Sequence, residues 1–126
     1  APESSFGGWS PALDEAQDME AWFRAASAEE AERCLSTPCS SVTKLALVSV
    51  TMGDEETRRL ALALRGNSEV LRLSLELCQI TDQGAEHLAE ALRENNSLVA
   101  LYLEGNRIGD RGASRLAAAL RQNEAL

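Results

Sequence analysis

The chain has 126 residues, 44% hydrophobic and only 4% aromatic, which suits one domain with a core of leucine and alanine. The formal net charge is −8, with −6 in residues 1–36, and this acidic balance argues against binding to nucleic acid or to an anionic membrane surface. The sequence shows no membrane-spanning apolar run and no secretory leader, and its three cysteines indicate a reducing compartment, the cytosol with the nucleus as alternative.

Residues 1–41 are predicted to form an N-terminal helical cap. Ser10 and Pro11 have the form of a helix start, with serine as the N-cap and proline at the first helical position. Apolar residues then follow at three- and four-residue steps, which predicts one buried helix face as far as Ala26.

A second, short helix is predicted to open at Ser27–Glu30, which is a capping-box pattern, and to close at Pro38. We expect residues 10–36 to cover the first layer of the segment that follows, with Trp22 and Phe23 filling that layer. The alternative is a tail that packs loosely.

From residue 42 onward, five apolar positions recur with a period of 28 residues. The first positions of each copy alternate like a buried strand, and the later ones have helical spacing. Such a period is the signature of a stacked repeat array, with copies at 42–69, 70–97 and 98–126. The recurring residues are Leu45, Leu47, Met52, Leu60 and Leu64; Leu73, Leu75, Ile80, Leu88 and Leu92; and Leu101, Leu103, Ile108, Leu116 and Leu120.

Polar residues and glycines recur with the same period. An aspartate precedes each helical run, where its carboxylate can accept hydrogen bonds from the first N–H groups. An asparagine follows each run, where this residue tolerates the left-handed conformation that ends a helix. A glycine in two copies is expected to keep a tight corner free of a side chain. These residues are Asp54, Asp82 and Asp110; Asn67, Asn95 and Asn123; and Gly84 and Gly112.

Two copies fit the leucine-rich repeat pattern, namely Leu98-x-x-Leu101-x-Leu103-x-x-Asn106-x-Ile108 and Val70-x-x-Leu73-x-Leu75-x-x-Cys78-x-Ile80. The 28-residue length and the helical second half resemble the ribonuclease-inhibitor-like class, which includes NOD-like receptor domains and a GTPase-activating protein for Ran. The resemblance implies a short α/β solenoid of three repeats, with a parallel sheet inside and helices outside.

The resemblance also places a small polar side chain inside the bend of each repeat, where it satisfies backbone groups. Cys78 and Asn106 stand at that position. The first copy departs from the pattern, with Val50 there and Glu56-Thr57 in place of Gly-Ala, which is typical of a repeat next to a cap.

Strand residues that point away from the core are predicted to line a concave face, across which solenoids commonly bind partners. Tyr102 is the strongest candidate anchor, because tyrosine is frequent among energetically important interface residues. For any single position, the alternative is an ordinary solvated surface. The predicted positions are Lys44, Ala46, Val48, Arg72, Ser74, Glu76, Ala100, Tyr102 and Glu104.

The third copy is predicted to leave one side of its apolar layer without a neighbour within these 126 residues. Leu126 falls at the position of Leu98 and Val70, and no polar capping helix follows. Either the natural protein continues or another molecule supplies the missing layer, and we expect a homodimer or higher assembly through this end. The residues of this predicted surface are Leu101, Leu103, Ile108, Leu116, Leu120 and Leu126.

The chemistry-bearing residues do not form a pattern for catalysis, a metal or a cofactor. His87 is the only histidine, and no second catalytic group lies at readable spacing. Cys34 and Cys39 lack the matching pair that zinc needs. The corner from Gly105 to Gly109 follows no phosphate-loop pattern.

The function that these observations favour is a non-catalytic protein–protein interaction module, part of a larger regulatory or sensor protein such as a NOD-like receptor. A first alternative is a self-assembly module that oligomerises through the third repeat. Further alternatives are a GTPase-activating domain and an actin-capping domain like the tropomodulins, whose repeat domain is similar. The sequence does not identify the protein partner.

Overall fold

Strands and helices alternate along the chain in a computed structural model that describes residues 22–37, 42–123 and 125–126. Four strands and four helices lie within those residues. The strands are β1 (Trp22–Arg24), β2 (Lys44–Ala46), β3 (Arg72–Ser74) and β4 (Ala100–Tyr102). The helices are α1 (Ala28–Ser36), α2 (Asp54–Arg65), α3 (Asp82–Glu94) and α4 (Asp110–Gln122).

The strands form one parallel sheet in the order β1-β2-β3-β4. Leu45 pairs with Leu73, and Leu73 pairs with Leu101, so each step along the sheet is one 28-residue repeat. Parallel neighbours need a crossover connection, and the helices supply it on one side of the sheet. The predicted α/β solenoid, with its parallel sheet and outer helices, is confirmed.

The core lies between the sheet and the helices. The recurring leucines of the first two copies are almost completely buried there. In the third copy, Leu101, Leu103, Ile108 and Leu116 are half-buried, and Leu120 is 46% exposed. The difference arises because the described residues pack against the third copy from one side only.

Residues 22–24 form a strand, so the prediction that the first helix continues to Ala26 is wrong at this point. Strand β1 pairs with β2, and the Ala25 N–H donates to the carbonyl of Ala46 at 2.9 Å. The aromatic pair Trp22-Phe23 favours a strand, and pairing also satisfies backbone groups at the edge of the sheet. The earlier part of the predicted helix, with Ser10 and Pro11, lies outside the described residues.

The predicted helix start at Ser27 is confirmed, because its Oγ accepts a hydrogen bond from the N–H of Glu30 at 3.1 Å and helix α1 follows. The Glu30 carboxylate accepts from the N–H of Ala26 at 2.8 Å, one residue before the position that a capping box uses. The predicted plugs are not confirmed. Phe23 is 37% exposed, and Trp22 belongs to a separate cluster on the other side of the sheet. The layer of Leu45 and Leu47 is covered instead by small or aliphatic side chains, which are Ala25, Ala31 and Leu35.

Two of the recurring aspartates, Asp54 and Asp82, contact the start of the next helix and not their own. Asp82 is the first residue of α3, and its Oδ1 accepts hydrogen bonds from the N–H groups of Gly109 at 2.6 Å and Gly112 at 3.1 Å, at the start of α4. Asp54 Oδ1 accepts from the hydroxyl of Thr81, one residue before α3, at 2.9 Å. Asp82 therefore accepts from helix-start N–H groups as predicted, but those of the next repeat, and Asp54 bonds a hydroxyl there.

The recurring asparagines do not adopt the predicted left-handed conformation, since φ is −85° at Asn95 and −98° at Asn123. Their side chains bridge the repeats. Asn123 Nδ2 donates to the carbonyls of Leu92 and Asn95, both at 2.7 Å. Asn67 Nδ2 donates to the carbonyl of Leu35 at 2.9 Å, which extends the same row to α1.

A second row of polar side chains lies inside the bend after the strands, as the sequence predicts. Asn106 Nδ2 donates to the carbonyl of Leu75 at 2.7 Å, and its Oδ1 accepts from the N–H of Cys78 at 3.0 Å. Cys78 Sγ in turn lies 3.0 Å from the carbonyl oxygen of Leu47. Two rows of hydrogen bonds, one beyond each end of the strands, thus fix the spacing of the repeats.

Gly84 and Gly112 lie within the first turn of α3 and α4, and not in a corner as predicted. A Cβ at Gly84 would come within 2.9 Å of Ile80 Cγ2 and 3.1 Å of Thr57 Cγ2. These glycines let each helix start approach the preceding repeat closely.

Candidate functional site

The concave face consists of three rows that run across the sheet. Strand pairing places Trp22, Lys44, Arg72 and Ala100 in the first row, at the start of the strands. The second row, by the same register, contains Arg24, Ala46, Ser74 and Tyr102. The hydrogen-bonded ladder continues past the strands, so Val48, Glu76 and Glu104 form the third row.

The predicted concave residues differ in accessibility. Ala46, Ser74 and Glu76 are buried, whereas Glu104 is exposed. Partial burial is shared by the other positions, which are Lys44, Val48, Arg72, Ala100 and Tyr102. The middle of the face is therefore covered, and contact with a partner would involve the two outer rows and Tyr102.

The side chain that covers the middle of the concave face is Trp22. It is 7% exposed and packs on Ala46, with Val48 and Tyr102 against the same cluster. The ring centroids of Trp22 and Tyr102 are 6.3 Å apart at an interplanar angle of 70°, an edge-to-face arrangement. The first and last strands are thus joined by an aromatic contact across the face.

Sequence reasoning missed Trp22 as a concave residue. A signal was present, because Trp22-Phe23-Arg24 has the outward–inward–outward order of Lys44-Leu45-Ala46. The 22-residue spacing between them, shorter than the repeat period, hid the correspondence.

Charge is separated along the strands on this face. Lys44 and Arg72 lie side by side in the first row, and Glu76 and Glu104 lie side by side in the third. The face therefore has a basic edge at the start of the strands and an acidic edge at their ends. Such a pattern fixes the orientation of a partner more than its affinity.

A left-handed backbone position follows the third row in every repeat. It is occupied by Ser49, Leu77 and Gly105, with φ of 62°, 58° and 76°. Leu77 is 46% exposed, which makes it an apolar side chain on the acidic edge of the concave face. We call this position the strand-exit edge.

The predicted self-association residues surround an open groove of about 450 Å³ at the end of the third repeat. Ile108 does not line the groove and packs against the core. The other five predicted residues line the groove, together with Leu92 and with the side of β4 that does not face β3. These five form an apolar wall: Leu101, Leu103, Leu116, Leu120 and Leu126.

The titratable groups of the described residues do not form a reactive centre. No group of three or more His, Cys, Asp or Glu side chains in the described part of the chain is arranged to hold a metal ion. Burial raises the pKa of the Cys78 thiol to about 11, and burial together with the charge of Glu30 raises the pKa of Cys34. Both thiols are therefore held in the unreactive protonated form at neutral pH.

His87 lies on α3, half-buried beside Arg58 and Glu90 in a shallow groove between α2 and α3. Cys39, the remaining predicted candidate, lies outside the described residues. Among helices within residues 22–37, 42–123 and 125–126, none combines the length and the apolar content that crossing a bilayer requires.

The family model described as Leucine Rich repeat matches residues 62–89 and 94–117. The described residues have the fold of a leucine-rich repeat solenoid. The matched segments run from the end of α2 into α3 and from the end of α3 into α4, so they include the strands of the second and third repeats that the 28-residue period predicts. No curated protein matches the chain.

Solved leucine-rich repeat structures share this fold. The structure titled Leiomodin-1 Actin-Binding Site 2 superimposes with a TM-score of 0.69 and 24% identity, and the tropomodulin C-terminal domain of Caenorhabditis elegans with 0.69 and 20%. Each match covers 78% of this chain, but only 57% and 59% of the respective structures. The likeness establishes the fold of the repeats.

Proposed function

We propose that this leucine-rich repeat chain is a non-catalytic protein-binding module that uses its concave face and the adjoining strand-exit edge. The observation that carries the proposal is the Trp22–Tyr102 contact. It holds a half-buried tyrosine in place on the β4 side of the face, so little side-chain entropy is lost when a partner covers it.

The rigidity of the array supports the same proposal. The rows formed by Asn67, Asn95 and Asn123 and by Cys78 and Asn106 fix the spacing of the strands. Charged side chains from different repeats are thus presented in fixed register, and a partner can match them without reordering the chain.

The size of the face limits how it can bind. A stable interface uses roughly 20–30 residues on each side. The concave positions are fewer than that, and three of them are buried. A partner that binds tightly must therefore also contact the strand-exit edge or the loops beside it.

The test reverses a charge on the face without touching the core. Glu104 is exposed, so Glu104→Lys leaves the fold intact, and Glu90→Lys on the outer face of α3 is the matched control. We expect Glu104→Lys to lose proteins that the parental chain captures from lysate, while Glu90→Lys retains them. Retention by Glu104→Lys with loss by Glu90→Lys would move the binding surface to the helices.

Actin binding is a second candidate, and the fold likeness to the leiomodin-1 actin-binding site supports it. The test is elongation of actin filaments at the pointed end, with the barbed ends blocked. Inhibition that Glu104→Lys abolishes would favour this candidate. Unchanged elongation at a large excess of the chain would remove it.

Self-association is a third candidate, supported by the apolar groove beside Leu116 and Leu120. Sedimentation velocity over a wide concentration range tests it, with Leu120→Glu as the variant that should abolish any dimer. A sedimentation coefficient that does not depend on concentration would contradict it.

The class of leucine-rich repeat protein to which this chain belongs stays a prediction. The match to the repeat family supports a leucine-rich repeat protein without distinguishing the NOD-like receptor or ribonuclease-inhibitor-like classes. The GTPase-activating alternative and a cytosolic location also stay predictions, and the location depends on the cysteine count alone.

A further inference from the structure

Leu77 occupies a position where the backbone of every repeat is left-handed. The array imposes this conformation, because the Leu77 N–H donates to the carbonyl of Glu104 at 3.0 Å and the Ser49 N–H donates to that of Glu76 at 3.1 Å. Glycine adopts it without strain, whereas a bulky side chain is disfavoured there. The third repeat follows this rule with Gly105, and the second repeat breaks it.

Burial explains the leucine only in part. The Leu77 residue is 46% exposed, so nearly half of its surface gains nothing from folding. One face of it rests on the next repeat, where a Cβ at Gly105 would collide with Leu77 Cδ2. The opposite face is directed to solvent. Several other apolar residues of the chain are as exposed as Leu77, but a bulky residue held in the left-handed conformation points to a role outside the fold.

The surroundings of Leu77 define the chemistry of an occupant. Gly105 has no side chain and so accommodates the Leu77 Cδ2 methyl group, and the Leu77 N–H reaches the carbonyl of Glu104 at 3.0 Å, which places Glu104 next to the leucine. Glu104 presents an exposed carboxylate on this edge of the array. Two further exposed carboxylates, Asp54 and Asp110, lie at the starts of α2 and α4, the helices before and after that of the Leu77 repeat. Arg107 is the exposed basic residue of the third-repeat loop.

We propose that Leu77 is the anchor of a docking site for a protein segment that places an apolar side chain next to a lysine or arginine. The apolar side chain would cover Leu77 and Gly105, and the cation would meet Glu104. Charge complementarity supports this occupant, since carboxylates outnumber cations on the strand-exit edge and on the chain as a whole. The inference depends on the proposed function, because it specifies the partner of the same surface.

The experiment selects random twelve-residue peptides on phage against the folded 126-residue chain and then measures the affinity of synthetic copies. We expect the selected peptides to combine a lysine or arginine with a nearby Leu, Ile or Phe. Leu77→Asn should weaken them about tenfold or more, because asparagine tolerates the left-handed backbone but removes the apolar contact. Glu104→Lys should also weaken them, with a larger effect at low salt.

The control variant is Leu62→Ala, which removes an equally exposed leucine from the outer face of α2 and should leave the affinities unchanged. Thermal melting separates a binding role of Leu77 from a structural one, because loss of a structural contact would lower the melting temperature. Leu77→Asn should melt at the same temperature as the parental chain or higher, because it relieves the disfavoured backbone. A lower melting temperature would show that Leu77 serves the fold and would overturn the inference.

Selected peptides that lack a basic residue, or whose affinity survives Leu77→Asn, would also overturn it, as would a failure to select any peptide. Self-association of the chain that Leu77→Asn abolishes would assign the site to a second copy and reject the proposed occupant. Peptides that lose affinity with Tyr102→Leu but not with Leu77→Asn would leave the proposed concave-face function standing while rejecting this docking site.

Discussion

The side-chain amide of Asn95 donates a hydrogen bond to the main-chain carbonyl of Asn67 at 2.9 Å, so Asn95 connects its own repeat to the one before it. Asn95 Nδ2 also donates to the carbonyl of Leu64, and its Oδ1 accepts from the N–H groups of Ser97 and Leu98. A fifth hydrogen bond comes from the Ser97 hydroxyl to Oδ1 at 3.3 Å. The Asn95 side chain is 1% exposed, and it pairs with backbone groups that the helix end leaves without intrahelical partners.

We expect Asn95→Ala to lower the free energy of unfolding by about 2–4 kcal/mol, because it leaves buried donors and acceptors without partners. Asn95→Asp should be at least as harmful, since a carboxylate would face the two carbonyl oxygens of Leu64 and Asn67. Urea denaturation measures both. The control is the exposed neighbour Asn96→Ala, for which we expect a change within about 0.5 kcal/mol.

A pair of glycines tests the close approach of helix starts. A Cβ at Gly112 would lie 2.7 Å from Asp82 Oδ1 and 2.9 Å from Ala85 Cβ, whereas a Cβ at Gly66 meets nothing within 4 Å. We expect Gly112→Ala to destabilise the chain by about 1–3 kcal/mol and Gly66→Ala to be neutral or stabilising by up to about 1 kcal/mol. Equal effects in thermal melting would contradict the packing explanation.

The sequence was sufficient for the regular part of the fold. Period and apolar spacing predicted the strands at Leu45, Leu73 and Leu101 and the helices after them, because the same hydrophobic layer is built three times. Local rules were less reliable for the recurring polar residues. Asn95 and Asp82 act on the neighbouring repeat, and propensities for caps describe a residue only within its own helix.

The candidate site was predicted less completely than the fold. Strand alternation placed Tyr102 and Glu104 on the concave face, but it could not show that Trp22 covers the middle of it. That contact joins residues 80 positions apart in sequence and depends on the curvature of the sheet. Leu77 could not be singled out either, because its left-handed backbone conformation depends on pairing with the next repeat.

The pH dependence of stability should reveal the buried thiol of Cys78. Burial raises its pKa from 9.0 to about 11 in the folded chain, so the unfolded chain loses this proton first as the pH rises. The stabilisation is complete below pH 9 and is lost between about pH 9 and 11, by at most about 2–3 kcal/mol. Urea unfolding from pH 8 to 10.5 measures the slope.

Cys78→Ala is the reference for that measurement, since other groups titrate over the same range. The difference in stability between the parental chain and Cys78→Ala should shrink steadily above pH 9. A difference that is independent of pH would show that the thiol ionises equally in both states. Cys34→Ala serves as a second comparison, because Cys34 is only half-buried.

The aromatic contact on the concave face should couple the two ends of the sheet. In a solenoid, stability is mainly a sum of terms within repeats and between nearest neighbours, so mutations in β1 and β4 are expected to add. Trp22 and Tyr102 break that rule, because their rings touch across two intervening strands.

We expect a double-mutant cycle of Trp22→Ala and Tyr102→Leu to give a coupling of about 0.5–1.5 kcal/mol. The matched cycle of Trp22→Ala with Leu62→Ala, on the outer face of α2, should be additive. Additivity in both cycles would mean that the ring contact contributes nothing to stability and that Tyr102 is not held in place on the free face.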